Sequence, residues 1–180
     1  MSARDKIIDA AMAIVRDSGV ARLTLDEAAR VAEVSKGGVL YHFKGKDDLI
    51  RAMVGRLIDQ CDSLHRAYYE REPEGPYRWA RTMVRSAFDP AGPANNPVGG
   101  ALLAAVAVNR ELVAPLKVKY DEWQERLRSD SPDMERAALV CTAMDGLFLQ
   151  RVLGLRLGDV AGEARLMQAA LDVLGEGVDS

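Results

Sequence analysis

The chain has 180 residues, of which 48% are apolar and 28% are charged, and its formal net charge is −3. This length and composition allow a buried core in one or two small domains. No apolar run is long enough to span a bilayer, and the charged N-terminus lacks the apolar region of a signal peptide. These features argue against membrane and secreted proteins, and we expect a soluble protein of the cytoplasm.

The sequence offers little support for catalysis or metal binding. Cys61 and Cys141 are far apart and form no CxxC pattern. His42 and His65 show no metal-ligand spacing with Cys, Asp or Glu, and no GxSxG, P-loop or HExxH pattern occurs. We therefore expect a non-enzyme with no catalytic residue, no metal and no cofactor, and we expect His65 to be a solvated side chain.

The first predicted helices lie near the N-terminus. Apolar residues recur at helical spacing from Ile7 to Val15, and Gly19 marks the end of this helix. A second helix is predicted to start after Thr24, because the Thr24 hydroxyl and the Glu27 carboxylate can cap free backbone NH groups reciprocally, as a capping box. Small apolar residues follow, so a neighbouring helix can pack closely.

A third short helix is predicted to start at Lys36, with Ser35 as its N-cap. Its first turn contains Gly37 and Gly38, and an interior glycine costs about 1 kcal/mol relative to alanine. Two glycines in a row therefore need a reason other than helix formation. Close approach to a DNA backbone is one such reason.

Polar groups follow at the end of this third helix. Tyr41 and His42 offer OH and NH donors, and Lys46 starts the next helix, where Asp47 and Asp48 suit the positive end of the helix dipole. In a helix-turn-helix, the second helix enters the major groove N-terminus first and flanking groups bind phosphates. These features therefore predict that the segment is a DNA-binding helix-turn-helix.

Most of the remaining chain is also predicted to be helical, and no alternation typical of strands occurs. The run REPEGP and the stretch from Asp89 to Pro97 break the helical pattern. The predicted helices run from residue 46 to about 70, from Pro76 to Phe88, from Val98 to Val108, from about Glu111 to Leu127, from an N-cap at Ser131 with Pro132 next to about Leu155, and from about Gly162 to Leu174.

Most of the segment from residue 3 to 50 resembles the DNA-binding domain of the TetR family of bacterial transcriptional repressors. The resemblance rests on many residues at fixed spacing. They are Thr24, Leu25, Ala29, Ala32, Val34, Ser35, Gly37, Leu40, Tyr41, His42, Phe43, Lys46 and Leu49.

The resemblance implies an all-α protein with a three-helix DNA-binding domain at 1–46 and a ligand-binding and dimerisation domain at 47–180. It implies a homodimer that presents two recognition helices to a roughly palindromic operator. The residues implied to contact DNA are Thr24, Lys36, Tyr41, His42 and Lys46, and we add the cap Ser35 and the close-approach residue Gly37.

Two residues depart from the family pattern. Glu33 lies in the turn where the family often has Gly, and Gly38 stands where Thr, Ser or Ala is common. Glu33 puts an anion near the DNA-binding face, and Gly38 removes a side chain that could read a base. Few base-reading side chains remain.

Charge is divided along the chain in the direction expected for DNA binding. Residues 1–46 carry eight basic and six acidic side chains, a net charge of +2, and the remaining residues carry 16 basic and 21 acidic side chains, a net charge of −5. A basic head on an acidic body would focus phosphate attraction at one end. Ordinary scatter of solvated charge gives a difference of the same size.

The last two predicted helices combine large and small apolar residues, which suits a dimer interface. Without the resemblance, burial in the chain's own core is the preferred reading, whereas the resemblance favours a four-helix interface between two copies. The residues in question are Ala138, Leu139, Cys141, Thr142, Gly146, Leu149, Val152, Leu153, Leu166, Met167, Ala170 and Leu174.

A set of aromatic and methionine residues falls on helices that the resemblance places around a ligand cavity. Such side chains line adaptable sites for planar or hydrophobic small molecules, although each one taken singly is more often part of a plain core. The candidate effector-binding residues are Trp79, Met83, Phe88, Tyr120, Trp123, Met144, Asp145 and Phe148.

Asp145 lies within an apolar run, where an ionised carboxylate needs a partner. Pairing with Arg151 or Arg110, or with a backbone NH, is the structural interpretation and the preferred one. The functional interpretation is that Asp145 binds a cationic effector. Related repressors often control drug-efflux genes, so lipophilic cations are a ligand class implied by the resemblance.

Three functions remain open at this stage. The first is a repressor that a small hydrophobic effector releases from its operator. The second is an activator, or a repressor that needs its ligand, which has the same sequence features and the opposite sign of coupling. The third is a small-molecule binding protein or enzyme whose head no longer reads DNA, for which Glu33 and the two glycines are the only indications.

Overall fold

The computed structural model describes residues 1–92, 95–155 and 159–175. Within these ranges the chain forms nine α-helices and no strand, so the predicted all-α class is confirmed. None of the described helices is long and apolar enough to cross a membrane. The helices are α1 Ala3–Ser18, α2 Leu25–Val31, α3 Lys36–His42, α4 Lys46–Tyr69, α5 Arg78–Ala87, α6 Pro97–Val108, α7 Ala114–Asp130, α8 Met134–Val152 and α9 Val160–Val173, with 3₁₀ helices at Val20–Arg22 and Arg110–Val113.

The chain divides into two compact units. The first, which we call the head unit, comprises Met1–Asp59 and Pro97–Val118. The second, the body unit, comprises the described residues of Gln60–Asn96 and Lys119–Ser180. Helices α4 and α7 contribute residues to both units. In the predicted loop from Asp89 to Pro97, residues 93 and 94 lie outside the described part.

The core of the head unit is built where α1, α2 and α3 pack against one another. Arg56 of α4 adds ion pairs to the α1 carboxylates Asp5 and Asp9, at 2.7 and 2.9 Å. Helix α6 also packs against α1 and against the first 3₁₀ helix. The buried apolar residues of this core include Ile7, Ile8, Ala11, Val15, Leu23, Ala28, Val39, Phe43, Leu49 and Met53.

The capping box predicted at α2 is only half formed. The Thr24 hydroxyl accepts the Glu27 backbone NH at 3.1 Å, as predicted, but the Glu27 carboxylate accepts from the Arg30 guanidinium at 2.6 Å. A salt bridge to a residue one turn later replaces the reciprocal bond. A complete capping box forms instead at α1, between Ser2 and Asp5.

Helix α5 begins at Arg78, two residues later than predicted, because a distant residue caps it. Tyr77 adopts a left-handed backbone conformation with φ 59°. The Asp130 carbonyl accepts the Tyr77 NH at 2.9 Å, and the Asp130 carboxylate accepts the Trp79 NH at 2.7 Å. The end of α7 therefore supplies the cap of a helix that the sequence predicts to begin at Pro76.

The N-cap predicted for α8 was also misplaced. Asp133, not Ser131, caps this helix, and its carboxylate accepts the Arg136 NH at 3.0 Å. Helix α7 correspondingly extends to Asp130, three residues beyond its predicted end at Leu127. Helix α9 begins at Val160, slightly before the predicted position, and the Asp159 carboxylate caps it by accepting the Gly162 NH at 2.8 Å.

The turn between α2 and α3 forms a Schellman motif with Glu33 at its left-handed position. The Val34 NH bonds to the Ala29 carbonyl at 3.0 Å, and the Glu33 NH bonds to the Arg30 carbonyl at 3.4 Å. Glu33 has a φ of 56°, a conformation that glycine adopts without strain and a residue with a Cβ does not. The departure noted in the sequence thus coincides with a strained backbone position.

We predict that Glu33→Gly stabilises the protein. Removing the Cβ relieves the left-handed strain, and the net gain should be roughly 0.5–1 kcal/mol after the larger chain entropy of glycine is subtracted. Thermal or denaturant unfolding measures it. The control is Glu33→Ala, which removes the carboxylate and keeps the Cβ, so it should show no such gain. Equal stabilisation by both variants would assign the effect to charge and contradict the prediction.

Candidate nucleic-acid interface and ligand site

Helix α3 has one buried and one exposed face. Val39 and Phe43 are 0% and 2% exposed and anchor the helix in the head core. The opposite face exposes Lys36, Gly37 and Tyr41, and Tyr41 is 81% exposed. The predicted start of α3 at Lys36 is confirmed. The sequence also predicts Val39, Leu40 and Phe43 as inward anchors, but Leu40 is 41% exposed, so this prediction is wrong for Leu40. The exposed face of α3 therefore presents polar groups and bare backbone to the solvent.

The beginning of α3 is held by Ser35, whose hydroxyl accepts the Gly38 NH at 3.0 Å. A Cβ placed on Gly38 would lie 3.3 Å from the Ser35 Oγ, so a side chain there would crowd the cap. A Cβ on Gly37 would meet only the same Oγ, at 4.0 Å. The chain's own packing therefore does not require glycine at position 37.

Lys36 forms an ion pair with Asp26 of α2, and its Nζ lies 2.9 Å from the Asp26 Oδ1. Both side chains are more than 60% exposed. Exposed pairs of this kind contribute about 0–1 kcal/mol, so Lys36 can exchange Asp26 for another anion at little cost. The pair also links α2 to the first residue of α3.

The end of α3 carries two of the predicted donors. The His42 ring is half-buried and stands edge-on to the Tyr41 ring, with centroids 5.0 Å apart. The guanidinium of Arg4 lies over the Phe43 ring, 5.5 Å from its centroid. Aromatic and cationic side chains therefore surround the point where α3 ends.

Lys46 has an internal partner that the sequence did not indicate. Its Nζ donates to the Val20 carbonyl at 2.9 Å, which links the start of α4 to the first 3₁₀ helix. The neighbouring Asp47 accepts from the Asn109 side-chain amide at 2.9 Å. An ammonium group has three donors, so this bond leaves Lys46 able to contact another acceptor.

All seven predicted DNA contacts belong to the head unit. They fall at three places, which are the N-cap of α2, the whole length of α3 and the first residue of α4. In chain order they are Thr24, Ser35, Lys36, Gly37, Tyr41, His42 and Lys46.

All eight predicted effector-binding residues belong to the body unit, but their exposure differs. Trp79, Trp123 and Met144 are buried. Met83, Phe88 and Tyr120 are half-buried, and Asp145 and Phe148 are exposed. The set therefore contains both core residues and residues open to solvent.

The partner of Asp145 differs from those we predicted. Its Oδ2 accepts from the Tyr120 hydroxyl at 2.8 Å. Partial loss of water raises the pKa of the Asp145 carboxyl, although the Tyr120 bond opposes this rise. Arg151 instead pairs with Glu163 at 3.2 Å and lies over the Phe88 ring. A tyrosine on α7 thus takes the place that we had assigned to an arginine.

His65 is buried, which contradicts the expectation of a solvated side chain. It is 5% exposed, and its ring stands edge-on to Trp79 and Trp123, with centroids 5.7 and 4.9 Å away. Its Nε2 lies 3.5 Å from the Cys61 Sγ. Cys61 lies four residues earlier on α4 and is half-buried, so the apolar character of Cys61 could have indicated that His65 faces inward too.

Asp62 is the buried carboxylate of the same region. It is 2% exposed and accepts from the Trp123 indole NH at 2.9 Å. Arg66 donates to it as well, and the Lys119 Nζ lies 3.7 Å away. Burial raises the pKa of Asp62, but the bonds from Trp123 and Arg66 outweigh burial and hold this pKa below its ordinary value.

Within the described ranges, no group of three His, Cys, Asp or Glu side chains could hold a metal ion. Burial raises the pKa of both thiols, Cys61 and Cys141, to about 12, so neither is a reactive thiolate at neutral pH. The polar groups of the body unit are thus suited to hydrogen bonding and charge pairing.

An apolar stripe on α8 is open to solvent. Leu139 is 68% exposed, Leu149 46% and Leu153 60%, and small residues at 142, 143 and 146 lie between them. On α9, Val160, Leu166 and Val173 are also exposed. Cys141 and Leu174, which we had included in this surface, are buried within the chain.

Two family models match the chain. Residues 7–53 match the model described as bacterial regulatory proteins, tetR family. Residues 77–174 match the model described as tetracyclin repressor-like, C-terminal domain. Together they cover the helix-turn-helix segment and most of the helices of the body unit.

Individual transcriptional regulators are also similar in sequence to this chain. The HTH-type transcriptional regulator TtgR of Pseudomonas putida is 33% identical over 86 residues, which span 48% of this chain and 41% of TtgR. The match therefore covers less than half the length of that relative. The HTH-type transcriptional regulator BetI 1 of Chromohalobacter salexigens is 28% identical over 184 residues, which span 96% of this chain and 89% of BetI 1.

Solved structures share the fold. A putative transcriptional regulator from Pseudomonas aeruginosa PAO1 aligns with a TM-score of 0.74 and 19% identity, over 97% of this chain and 90% of that one. The multidrug binding protein EbrR, complexed with ethidium, aligns with a TM-score of 0.65 and 22% identity, over 96% and 98% of the two chains. With both family models matched, this chain belongs to the TetR family of transcriptional regulators.

Proposed function

We propose that this regulator is a homodimeric repressor of the cytoplasm that binds a roughly palindromic operator and is released by a small hydrophobic effector. The observation that carries the DNA-binding part is the exposed face of α3. Lys36, Gly37 and Tyr41 lie on it, while Val39 and Phe43 fix the helix from behind. This is the arrangement that a recognition helix needs in order to enter the major groove.

Each exposed group on α3 has a distinct proposed task. Lys36, at the N-terminal end, exchanges Asp26 for guanine acceptors or a phosphate. Gly37 lets the DNA backbone come close, which agrees with the open space around it. Tyr41 and His42, at the other end, bind phosphates. Thr24 and Lys46 keep their structural bonds to Glu27 and Val20 while they contact the backbone of DNA.

The DNA-binding proposal is tested by selecting binding sites from a random duplex pool and by measuring affinity for the selected sequence, the DNA upstream of the gene and a scrambled duplex across a salt series. We expect a palindromic site that binds about 10³-fold or more tightly than the scrambled duplex. Absence of any enriched sequence, with one salt slope for every duplex, would mean that the head no longer reads DNA.

Two variants of the head unit distinguish residues that contact phosphates from residues that contact bases. Tyr41→Phe should weaken binding to all duplexes about equally, and Lys36→Ala should also alter the preferred sequence. Tyr41→Phe removes an uncharged donor and should leave the salt slope unchanged, whereas Lys36→Ala should reduce the slope by about 0.9 if the Lys36 ammonium group also neutralises a phosphate. The control is Arg128→Ala, which removes an exposed positive charge from the body unit and should change neither quantity. If Lys36→Ala behaves like Tyr41→Phe, then Lys36 does not read a base.

The exposed stripes on α8 and α9 support a dimer. Large apolar side chains that remain open to solvent in a single chain indicate a surface that another chain covers. On α8 the stripe alternates leucines with small residues, so a second copy of α8 could approach closely. A two-fold axis through this surface would give two heads one helical turn of DNA apart or somewhat more.

We predict that the protein is a dimer at micromolar concentration and that Leu149→Glu dissociates it. By symmetry the variant buries two carboxylates, and each uncompensated buried charge costs several kcal/mol or more, on the order of the penalty for an ion removed from water. Light scattering measures the mass. Val118→Glu, at a 64% exposed apolar residue of the head unit, is the control and should remain dimeric. A monomeric wild type would contradict the proposal.

The effector proposal rests on aromatic side chains with one carboxylate among them. Tyr120 and Phe148 are within reach of solvent, and Asp145 is held by the Tyr120 hydroxyl. Removal of water from Asp145 raises its pKa, so a bound cation would stabilise the ionised form. EbrR, which shares the fold, is complexed with ethidium, a planar cation. We therefore propose that Asp145 pairs with cationic effectors.

Ethidium is the probe for this pairing. Asp145→Asn should weaken ethidium binding by up to about fivefold, because an ion pair at an exposed carboxylate contributes up to about 1 kcal/mol. Fluorescence titration measures the affinity. Asp121→Asn removes an exposed carboxylate from the same helix as Tyr120 and should have no effect. Equal affinity of wild type and Asp145→Asn would exclude Asp145 as the cation partner.

The head unit contains a candidate element for coupling. Helix α6 packs against α1 and the first 3₁₀ helix, and Asn109, just after α6, bonds to Asp47 at the start of α4. An effector that binds more tightly to one arrangement of α4 and α6 would shift the population of DNA-binding heads. An effector that releases the protein from DNA and one that recruits it to DNA would act through the same contacts. An operator titration with effector present therefore decides whether the effector weakens or strengthens DNA binding.

A further inference from the structure

The proposed function leaves the polar chemistry of the His65 ring unused. It lies between Trp79 and Trp123 at centroid distances of 5.7 and 4.9 Å, and it is 5% exposed. Burial lowers the pKa of His65 to about 4, so the ring is neutral at physiological pH. It is therefore a hydrogen-bonding group without a charge.

The two ring nitrogens of His65 have different surroundings. Nε2 lies 3.5 Å from the Cys61 Sγ. Nδ1 is buried and has no hydrogen-bond partner among the described residues. In either tautomer of the neutral ring, Nδ1 is a donor or an acceptor that needs a partner. A buried polar atom left unpaired is costly, and few occur in native proteins.

The neighbouring polar groups do not supply that partner, because they are committed elsewhere. Asp62 accepts from Trp123 and Arg66 and forms an ion pair with Lys119, and the Tyr120 hydroxyl donates to Asp145. A metal ion does not explain the orphaned nitrogen, since no third metal-ligating side chain joins Cys61 and His65 within the described ranges. A molecule from outside the chain is the remaining source.

We propose that His65 is a polar anchor of the effector site and that its Nδ1 binds a hydroxyl or another uncharged hydrogen-bonding group at the edge of an aromatic molecule. The rings of Trp79 and Trp123 pack edge-on against the His65 ring, so the surroundings of this anchor are aromatic and apolar. The inference rests on the proposed ligand-responsive function and names the chemistry that the effector carries.

A second buried polar atom supports a hydrogen-bonding ligand. Thr82 is 0% exposed, and its Oγ1 has no partner among the described residues. It lies three residues after Trp79 on α5, so both side chains are on adjacent positions of one helix face. The interior of the body unit thus offers two unpaired polar groups beside an aromatic cluster.

The test compares 2-naphthol with 2-methylnaphthalene, which have nearly the same shape and differ in a hydroxyl against a methyl group. Calorimetry on the full-length protein should give tighter binding of 2-naphthol by about tenfold, the value of one additional buried hydrogen bond. His65→Phe keeps an aromatic ring and should abolish the preference. Tyr68→Phe, which deletes a hydroxyl on the same helix that bonds to Asp89, should retain it.

A measurement on the wild type covers the case in which His65→Phe does not fold. The chain has only two histidines, so the imidazole ¹⁵N resonances of His65 can be identified in the full-length protein. The Nδ1 resonance should shift with 2-naphthol and stay in place with 2-methylnaphthalene. An unmoved Nδ1 resonance, equal binding of the two probes, or binding of neither would overturn the proposal.

These outcomes are independent of the DNA-binding test. A protein that binds its operator but shows no preference between the two probes would leave the regulator proposal intact and remove His65 as the anchor. A protein that prefers 2-naphthol through His65 but selects no DNA sequence would retain the site and lose the regulatory function.

Discussion

The burial of one face of α3 against α1 and α2 is the constraint on which the DNA-binding surface depends. Val39 and Phe43 fill the head core, and the helix has too few residues to be stable by itself. Its orientation is therefore set by packing, with the Ser35 cap at one end and the Phe43 anchor at the other. Because α3 cannot rotate without exposing these two side chains, the positions of Lys36, Gly37 and Tyr41 are fixed before DNA arrives. The opposite face of α3 remains exposed to solvent, and it presents the Lys36 ammonium group, the backbone at Gly37 and the Tyr41 phenol.

The body unit depends on polar groups that are buried with their partners. Asp62 joins α4 to α7 through Trp123 and Lys119, and Glu72 joins the end of α4 to α5 through Arg81 and Arg85 at 2.8 and 2.9 Å. Breaking such a pair leaves a charge in a poorly solvated interior, which costs more than the pair itself contributes. These buried ion pairs and hydrogen bonds therefore fix the arrangement of the helices in the body unit more strictly than apolar packing alone would. The buried Nδ1 of His65 and Oγ1 of Thr82 differ from these groups, because neither has a partner among the described residues.

The sequence predicted helices well where the signal is local and less well where it is distant. The caps Thr24 and Ser35 and the stop at Gly19 act on their own helices, and their positions agree with the structure. The start of α5 was missed because Asp130, more than fifty residues away, supplies its cap. At α8 two adjacent caps competed, and the Asp133 carboxylate prevailed over the Ser131 hydroxyl. The same limit applies to the sites, since periodicity placed His65 on a helix but could not show that two tryptophans from other helices cover it.

Strain and open space in the head indicate that binding, and not stability alone, has shaped the segment around α3. Glu33 holds a left-handed conformation at the end of α2 that glycine would hold without strain, and Gly37 gives up about 1 kcal/mol of helix propensity at a position where the chain leaves room for a side chain. At both positions a different residue would give a more stable fold. For Gly37 the proposed contact with DNA would supply a reason, because a Cβ on the exposed face of α3 would hold a DNA backbone further away. A Glu33 carboxylate near the proposed DNA-binding face would oppose the attraction of phosphates and lower affinity for every sequence alike. The contacts that distinguish one sequence from another would then supply a larger share of the binding energy.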